Sequence, residues 1–188
     1  MRTTDWILMC LMLILSLWYM PESVVEDHPY NNDPEIHDHH HKYDVFVNFR
    51  GSDIRDGFLA HLVKALSEKK IVTFVDYELK RGDEISALFD AIETSLISLV
   101  IFSPNYTNSA WCLDELVKIV ECREINGQIL LPVFYKVDPT IVRHQKGSYG
   151  NIAVAEKEKR FSSSRMEGWK SALRKSADIS GFPSSDFS

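Results

Sequence analysis

From Tyr43 onward the chain alternates between two textures, and this alternation limits its fold more than any other feature. Short runs dense in β-branched and aromatic residues, at Asp44–Phe49, Ile71–Val75, Ile97–Phe102 and Ile129–Tyr135, have the composition of buried parallel strands. Between them apolar residues recur with the period of a helix that buries one stripe. The stripes are Phe58, Leu59, Leu62, Val63 and Leu66, then Ile85, Leu88, Phe89 and Ile92, then Leu113, Leu116, Val117 and Val120. Strand and helix in alternation predict an α/β sheet with helices on both faces and right-handed crossovers. Two weaker helical patterns follow Asp138-Pro139, at about Ser148–Arg160 and Arg165–Ser176, and no fifth strand is legible. Pro132 cannot donate to a ladder, so it implies a bulge or an unpaired edge in the fourth strand.

In such sheets ligands bind outside the carboxyl ends of the strands. The loops expected there are Arg50–Asp53, Asp76–Glu84 and Ser103–Ala110. Ser52 or Asp53 is expected to cap the first helix, and Gly82 to supply a positive φ. After the third loop, Ser109 is a good N-cap, which puts Glu115 in the second turn of its helix, near the same edge. Trp111, Glu115, Ile119 and Cys122 form one line along that helix, with Glu115 its one charge. Asp114 and Lys118 have the spacing of a solvent-exposed i,i+4 pair on another face. The three loops and Glu115 are expected to share one crevice.

The usual nucleotide and nucleophile signatures are missing. The chain has no G-x-x-x-x-G-K-[ST] loop, no G-x-G-x-x-G turn, no G-x-S-x-G elbow and no Cys/His spacing for zinc. What remains is a carboxylate, an aromatic plane and the arginines Arg50, Arg55 and Arg81. That inventory suits an anionic, ring-bearing ligand cleaved with carboxylate help. N-glycosidic cleavage passes through an oxocarbenium-like state that a positioned carboxylate stabilises.

At 188 residues the chain has room for one domain and an appendage. A net charge of -6 argues against nucleic acid as the main partner, because phosphate binding draws on a basic excess. Cys10, Cys112 and Cys122 have no metal-ligand spacing and read as reduced thiols of a cytosolic domain. Trp6 to Met20 is an uncharged apolar run, short of the roughly 20 residues that span a bilayer. Residues 1–21 are therefore expected to be a signal anchor or interfacial tether, and residues 22–41 a polar, histidine-rich linker.

From about Lys42 to Phe182 the chain resembles a plant-type TIR (Toll/interleukin-1 receptor) domain. The resemblance is carried by motifs in order. Residues 43–55, Y-D-V-F-V-N-F-R-G-S-D-I-R, resemble the family's usual Y-D-V-F-L-S-F-R-G-E-D-T-R. Residues 79–85 (L-K-R-G-D-E-I) and Phe102-Ser103-Pro104-Asn105-Tyr106 follow. The most specific segment is Ser109-Ala110-Trp111-Cys112-Leu113-Asp114-Glu115-Leu116, and Phe134 to Pro139, Val142-Arg143 and Gln145 to Tyr149 complete the set.

The resemblance implies a flavodoxin-like three-layer fold with a central parallel sheet, as a TIR domain over 42–182 with a tail at 183–188. It also implies a role in plant innate immune signalling by a TIR-only chain. Plant TIR domains hydrolyse NAD+ or NADP+ when self-associated, so the dinucleotide is substrate, and neither a cofactor nor a metal is expected. The glutamate of W-C-L-x-E-L is catalytic in the family and maps onto Glu115. Arg50, Gly51, Ser52, Asp53, Ile54 and Arg55, with Gly82, Asp83 and Trp111, would line the substrate site. Self-association, or binding to other TIR-domain proteins, would use His61 and the Lys146-Gly147 surface. The departures are Ala60 where many members carry serine before the histidine, and Asn48, Ser52 and Ile54 for the commoner Ser, Glu and Thr. A non-catalytic adaptor, or a tethered regulator or decoy, would keep every core feature, and Glu115 is the residue that discriminates them from an enzyme.

Overall fold

In the computed structural model of the chain the described residues are 41–75, 85–150 and 161–183, with Arg55, Asp56, Phe182 and Pro183 described through their backbone alone. The apolar run 6–20, the loop 76–84 and the helical pattern at 151–160 lie outside them, as does nearly all of the histidine tract. Strands β1 (Tyr43–Phe49), β2 (Thr73–Val75), β3 (Ser95–Phe102), β4 (Ile129–Phe134) and β5 (Phe182–Pro183) form one sheet in the order β2-β1-β3-β4-β5. All four pairings are parallel, which is the flavodoxin-like order with its switch point between β1 and β3.

Side chains alternate across this sheet, so each strand serves two cores. Val45, Val47 and Phe49 of β1 pack with Leu99 and Ile101 of β3 beneath α1, a helical segment over residues 51–68 that contributes Ile54, Phe58, Leu59, Leu62 and Leu66. Phe46, Val100, Phe102, Leu130 and Phe134 face the other way. They meet α2 (Ile85–Glu93), α3 (Ala110–Asn126), α4 (Pro139–Arg143) and α5 (Ser163–Ala177). The helical stripes expected from the sequence supply these faces, except that Ile85, at the start of α2, is exposed.

Local chemistry sets the ends of α3. Ser109 Oγ accepts from the Cys112 amide at 3.2 Å, the capping bond expected of it, and the helix stops at Gly127, whose φ of 69° is left-handed.

Several expectations are corrected. Ser52 and Asp53 do not cap α1: the helical segment begins at Gly51, and Asp53 turns its carboxylate to a different loop. A π-helical turn at Arg55–Leu59 then lets the segment run on to Glu68. Asp114 and Lys118 do not pair with each other. Asp114 binds Arg165 and the Trp169 indole of α5, while Lys118 pairs with Glu93 of α2, because α3 is packed between those helices rather than open to water. The pattern from Ser148 begins as a single 3₁₀ turn at Gly147–Tyr149.

A fifth strand also exists. Among the described residues it pairs Phe182 and Pro183 with Val133 and Phe134, so Pro132 lies before the pairing starts. The Tyr135 amide donates toward β3, to the Phe102 carbonyl at 2.8 Å, and by alternation the Pro132 nitrogen faces the β5 side. Proline therefore forfeits no ladder bond there, the unpaired edge that its presence implied.

Candidate functional site

Glu115 lies in the second turn of α3, one helical turn beyond Trp111, and is 5 % exposed. Its buried setting follows from β1. Asn48 shares the inward face of that strand with Phe46 and is itself fully buried. The Asn48 amide donates to Glu115 Oε2 at 2.7 Å and to the Cys112 carbonyl at 3.3 Å. Its oxygen accepts from the Tyr106 hydroxyl, which also lies 3.0 Å from the Cys112 carbonyl. The Cys112 thiol donates to the Phe49 carbonyl at 3.2 Å. The first turns of α3 are thus pinned to the carboxyl end of β1, beside the switch point.

The charges around this cluster are set by burial. Burial above all, then the neighbouring Cys112, Glu115 and Tyr149, pushes the Tyr106 hydroxyl well above its ordinary range. Burial and the Glu115 charge push the Cys112 thiol up to about 12. Both groups are neutral near pH 7, so Cys112 is a packing and hydrogen-bonding residue, not a nucleophile.

Glu115 and Trp111 line a cleft of about 550 Å³ with Ile85, Leu88 and Phe89 of α2 and Arg165 and Trp169 of α5. Its size is that of a small-molecule site, with largely apolar walls and a few polar groups. Arg165 donates to Asp114 Oδ1 through Nε at 3.0 Å, with a second bond through Nη2, and its guanidinium lies 4.6 Å from the centre of the Phe161 ring.

Gly51, Ser52, Asp53 and Ile54 line a second cleft, of about 450 Å³, with Tyr135. The expected single crevice also included the loop 76–84, which lies outside the described residues; the loop after β1 and Glu115 line separate clefts. The loop after β1 leads into the helix on one face of the sheet, whereas Glu115 belongs to a helix on the other. Arg50 stands between the two groups. Its Nε is 3.6 Å from Asp53 Oδ1, and its charge eases the Cys112 thiol down against the burial that raises it. That Nε is buried without a hydrogen-bond acceptor among the described residues.

Asp53 spends its oxygens on the protein. Oδ2 accepts from Ser103 Oγ at 2.6 Å and from the Asn105 amide at 3.1 Å, and Oδ1 from Ser52 Oγ at 3.2 Å. Burial alone would raise its carboxyl, but these bonds outweigh it and hold it below the usual carboxylate value. The Arg55 side chain, Arg81, Gly82 and Asp83 lie outside the described residues. His61 is exposed on α1, while Lys146 and Gly147 are exposed beside α4, on the other side of the sheet, so they belong to two separate surfaces. Gly147 holds a left-handed φ of 53°.

Among the described residues no three His, Cys, Asp or Glu side chains are placed to hold a metal ion, and no helix is long and apolar enough to cross a membrane. The supporting roles of Asn48, Tyr106 and Ser103 were not singled out from the sequence. An asparagine in the apolar run of a buried strand was the available signal, since a buried amide needs partners.

Comparison with known proteins agrees with this architecture. The family described as "TIR domain" matches residues 42–188. Disease resistance-like protein DSC1 of Arabidopsis thaliana is 46% identical over 75% of this chain, and disease resistance protein RPV1 of Vitis rotundifolia is 47% identical over 74%. The aligned segments are only 12% and 10% of those proteins. The TIR domains in a structure of the activated Roq1 resistosome directly recognizing the pathogen effector XopQ superpose with a TM-score of 0.70 at 47% identity, covering 78% of this chain and 90% of that one. The match reaches from the opening of β1 past the helix that carries Glu115, and with the β2-β1-β3-β4-β5 order beneath it this chain belongs to the TIR domain family, similar over that segment to plant disease-resistance proteins.

Proposed function

We propose that this chain is a plant immune signalling domain that hydrolyses NAD+ or NADP+ at the nicotinamide–ribose bond. The observation that carries the reading is the Glu115 carboxylate, buried in the wall of a cleft beside the switch point and bonded to the Asn48 amide. In the reaction the C1′–N bond breaks and neutral nicotinamide leaves with the bonding electrons. The ribosyl centre becomes cation-like, and Glu115 offers it a fixed negative charge. Water then bonds to C1′ and releases a proton, giving an ADP-ribose-type nucleotide that serves as the signal. Trp111, Leu88 and Phe89 give the cleft apolar walls against which a ring can pack. Arg50 supplies a guanidinium for the pyrophosphate.

Self-association belongs to the same proposal. The similar TIR domains were seen within an activated resistosome, and this chain offers exposed His61, Lys146 and Gly147 on two surfaces through which copies, or other TIR-domain proteins, could join. Its two described cysteines are free and buried, which suits a reducing cytosol. The test is nicotinamide release from NAD+ by the full chain, followed across the concentrations over which it self-associates. Release that rises with the associated fraction supports the reading. Silence from a demonstrably associated protein would leave the adaptor in its place.

A further inference from the structure

The amide of Asn48 is fully buried among apolar side chains, and both of its ends are engaged. Its orientation is dictated by its partners. Glu115 Oε2, at 2.7 Å, and the Cys112 carbonyl, at 3.3 Å, lie on the side where Nδ2 stands, and the Tyr106 hydroxyl lies on the other. Turning the amide over would set its oxygen against both acceptors, so Asn48 is the donor to Glu115.

The support continues behind it. Tyr106 is wholly buried, and its ring packs edge-on against Phe102 with centroids 5.0 Å apart. Asp53 fixes the loop in which it sits by accepting from Ser103 and the Asn105 amide. A line of fixed groups thus runs from the β3 loop through β1 to the α3 carboxylate.

We infer that Asn48 is a positioning residue for Glu115, holding one carboxylate oxygen in place and favouring the ionised form. The catalytic purpose of that hold rests on the NAD+-hydrolysis reading, but the hold itself does not. A hydrogen bond to a charged group stabilises that form and cuts its orientational freedom, the preparation that an electrostatic catalyst needs. The TIR domains this chain resembles commonly carry serine here. A serine hydroxyl ends at about the place of the amide carbon, one bond short of Nδ2, and cannot keep both the Tyr106 and the Glu115 contacts.

The test uses the full chain with Asn48→Ser and Asn48→Asp. The aspartate keeps the shape but turns a donor into a like charge, and the serine gives a second background should the aspartate fail to fold. The first readout is the titration of the Glu115 carboxyl by carbon-13 NMR, assigned by its loss in Glu115→Gln. Around Glu115 the other charged or titratable groups among the described residues include Tyr106 and Cys112, Arg50 beside Cys112, and Asp114, Lys118, Glu121 and Arg165 along the cleft. Both substitutions leave these side chains in place; each changes the partner of the Tyr106 hydroxyl, and Asn48→Asp adds a carboxyl that itself titrates, which Asn48→Ser does not. The second readout is the kcat and KM of nicotinamide release.

Positioning predicts that Glu115 titrates at higher pH in both variants. It also predicts that kcat falls roughly tenfold to a hundredfold while KM stays within about threefold. An unchanged titration in a folded variant overturns the inference, whatever the activity. A moved titration in a chain that releases no nicotinamide keeps the hold on Glu115 and removes the enzyme reading instead.

Discussion

Ser103 Oγ donates to Asp53 Oδ2 at 2.6 Å, which joins the loop after β3 to the loop after β1 across the switch point of the sheet. Family resemblance made Asp53 a substrate contact. In the structure its carboxylate is a brace, and a ligand would have to compete with Ser103 and the Asn105 amide for it.

The brace has a pH signature. Asp53 is held below the ordinary carboxylate value of about 3.9 in the folded chain, so its contribution is complete above that value and is lost as pH falls through the lower native one. Asp53→Asn is expected to cost about 1–2 kcal/mol near neutral pH. In urea titrations the gap between wild type and variant should be constant above about pH 5 and close on further acidification. A gap that ignores pH would show that charge has no part in the brace.

Tyr106→Phe removes the hydroxyl that serves the buried Asn48 oxygen and leaves that acceptor without its donor. A loss of about 1–3 kcal/mol is expected. Thermal unfolding would register it as a fall in Tm of about 2–4 °C per kcal/mol for a domain of this size. No fall would mean that the packing of the ring, not the bond, fixes the loop.

Gly181 precedes β5 where a Cβ would stand 2.6 Å from Phe134 and 2.7 Å from the Pro132 carbonyl oxygen. Since one of those neighbours is backbone, Gly181→Ala should displace the edge strand and cost about 1–3 kcal/mol in equilibrium unfolding. Wild-type stability in that variant would show that β5 shifts freely.

The central strands and helices were legible because each buries a face with its own period, as Phe46 and Val47 do on opposite sides of β1. β5 was not, because two residues ending in proline carry no period and owe their place to the groove beside Val133 and Phe134. Glu115 was legible as the one charge on an apolar line of its helix. Its support was not, since Asn48 and Tyr106 stand 58 residues apart and meet only when β1 and the β3 loop are side by side. Asp114 misled for the same reason: its local partner Lys118 was plausible by spacing, but α2 and α5 supplied better ones.

Arg165→Ala removes a side chain that lines the cleft beside Glu115. The ion pair with Asp114 is partly exposed, and its loss alone should cost under about 1 kcal/mol. Asp114→Ala should cost more, because it also removes the acceptor of the Trp169 indole bond at 2.8 Å. A double-mutant cycle on the two residues measures their coupling, and equal costs for the single variants would contradict this ranking.

The central claim is that the Glu115 charge performs the chemistry. The most direct measurement is nicotinamide release from NAD+ by the full chain beside Glu115→Gln, which keeps the shape and an oxygen for the Asn48 amide. The account predicts a fall of at least about a hundredfold in kcat, with unfolding stability within about 1 kcal/mol of wild type. Release at the wild-type rate by a folded Glu115→Gln would contradict it.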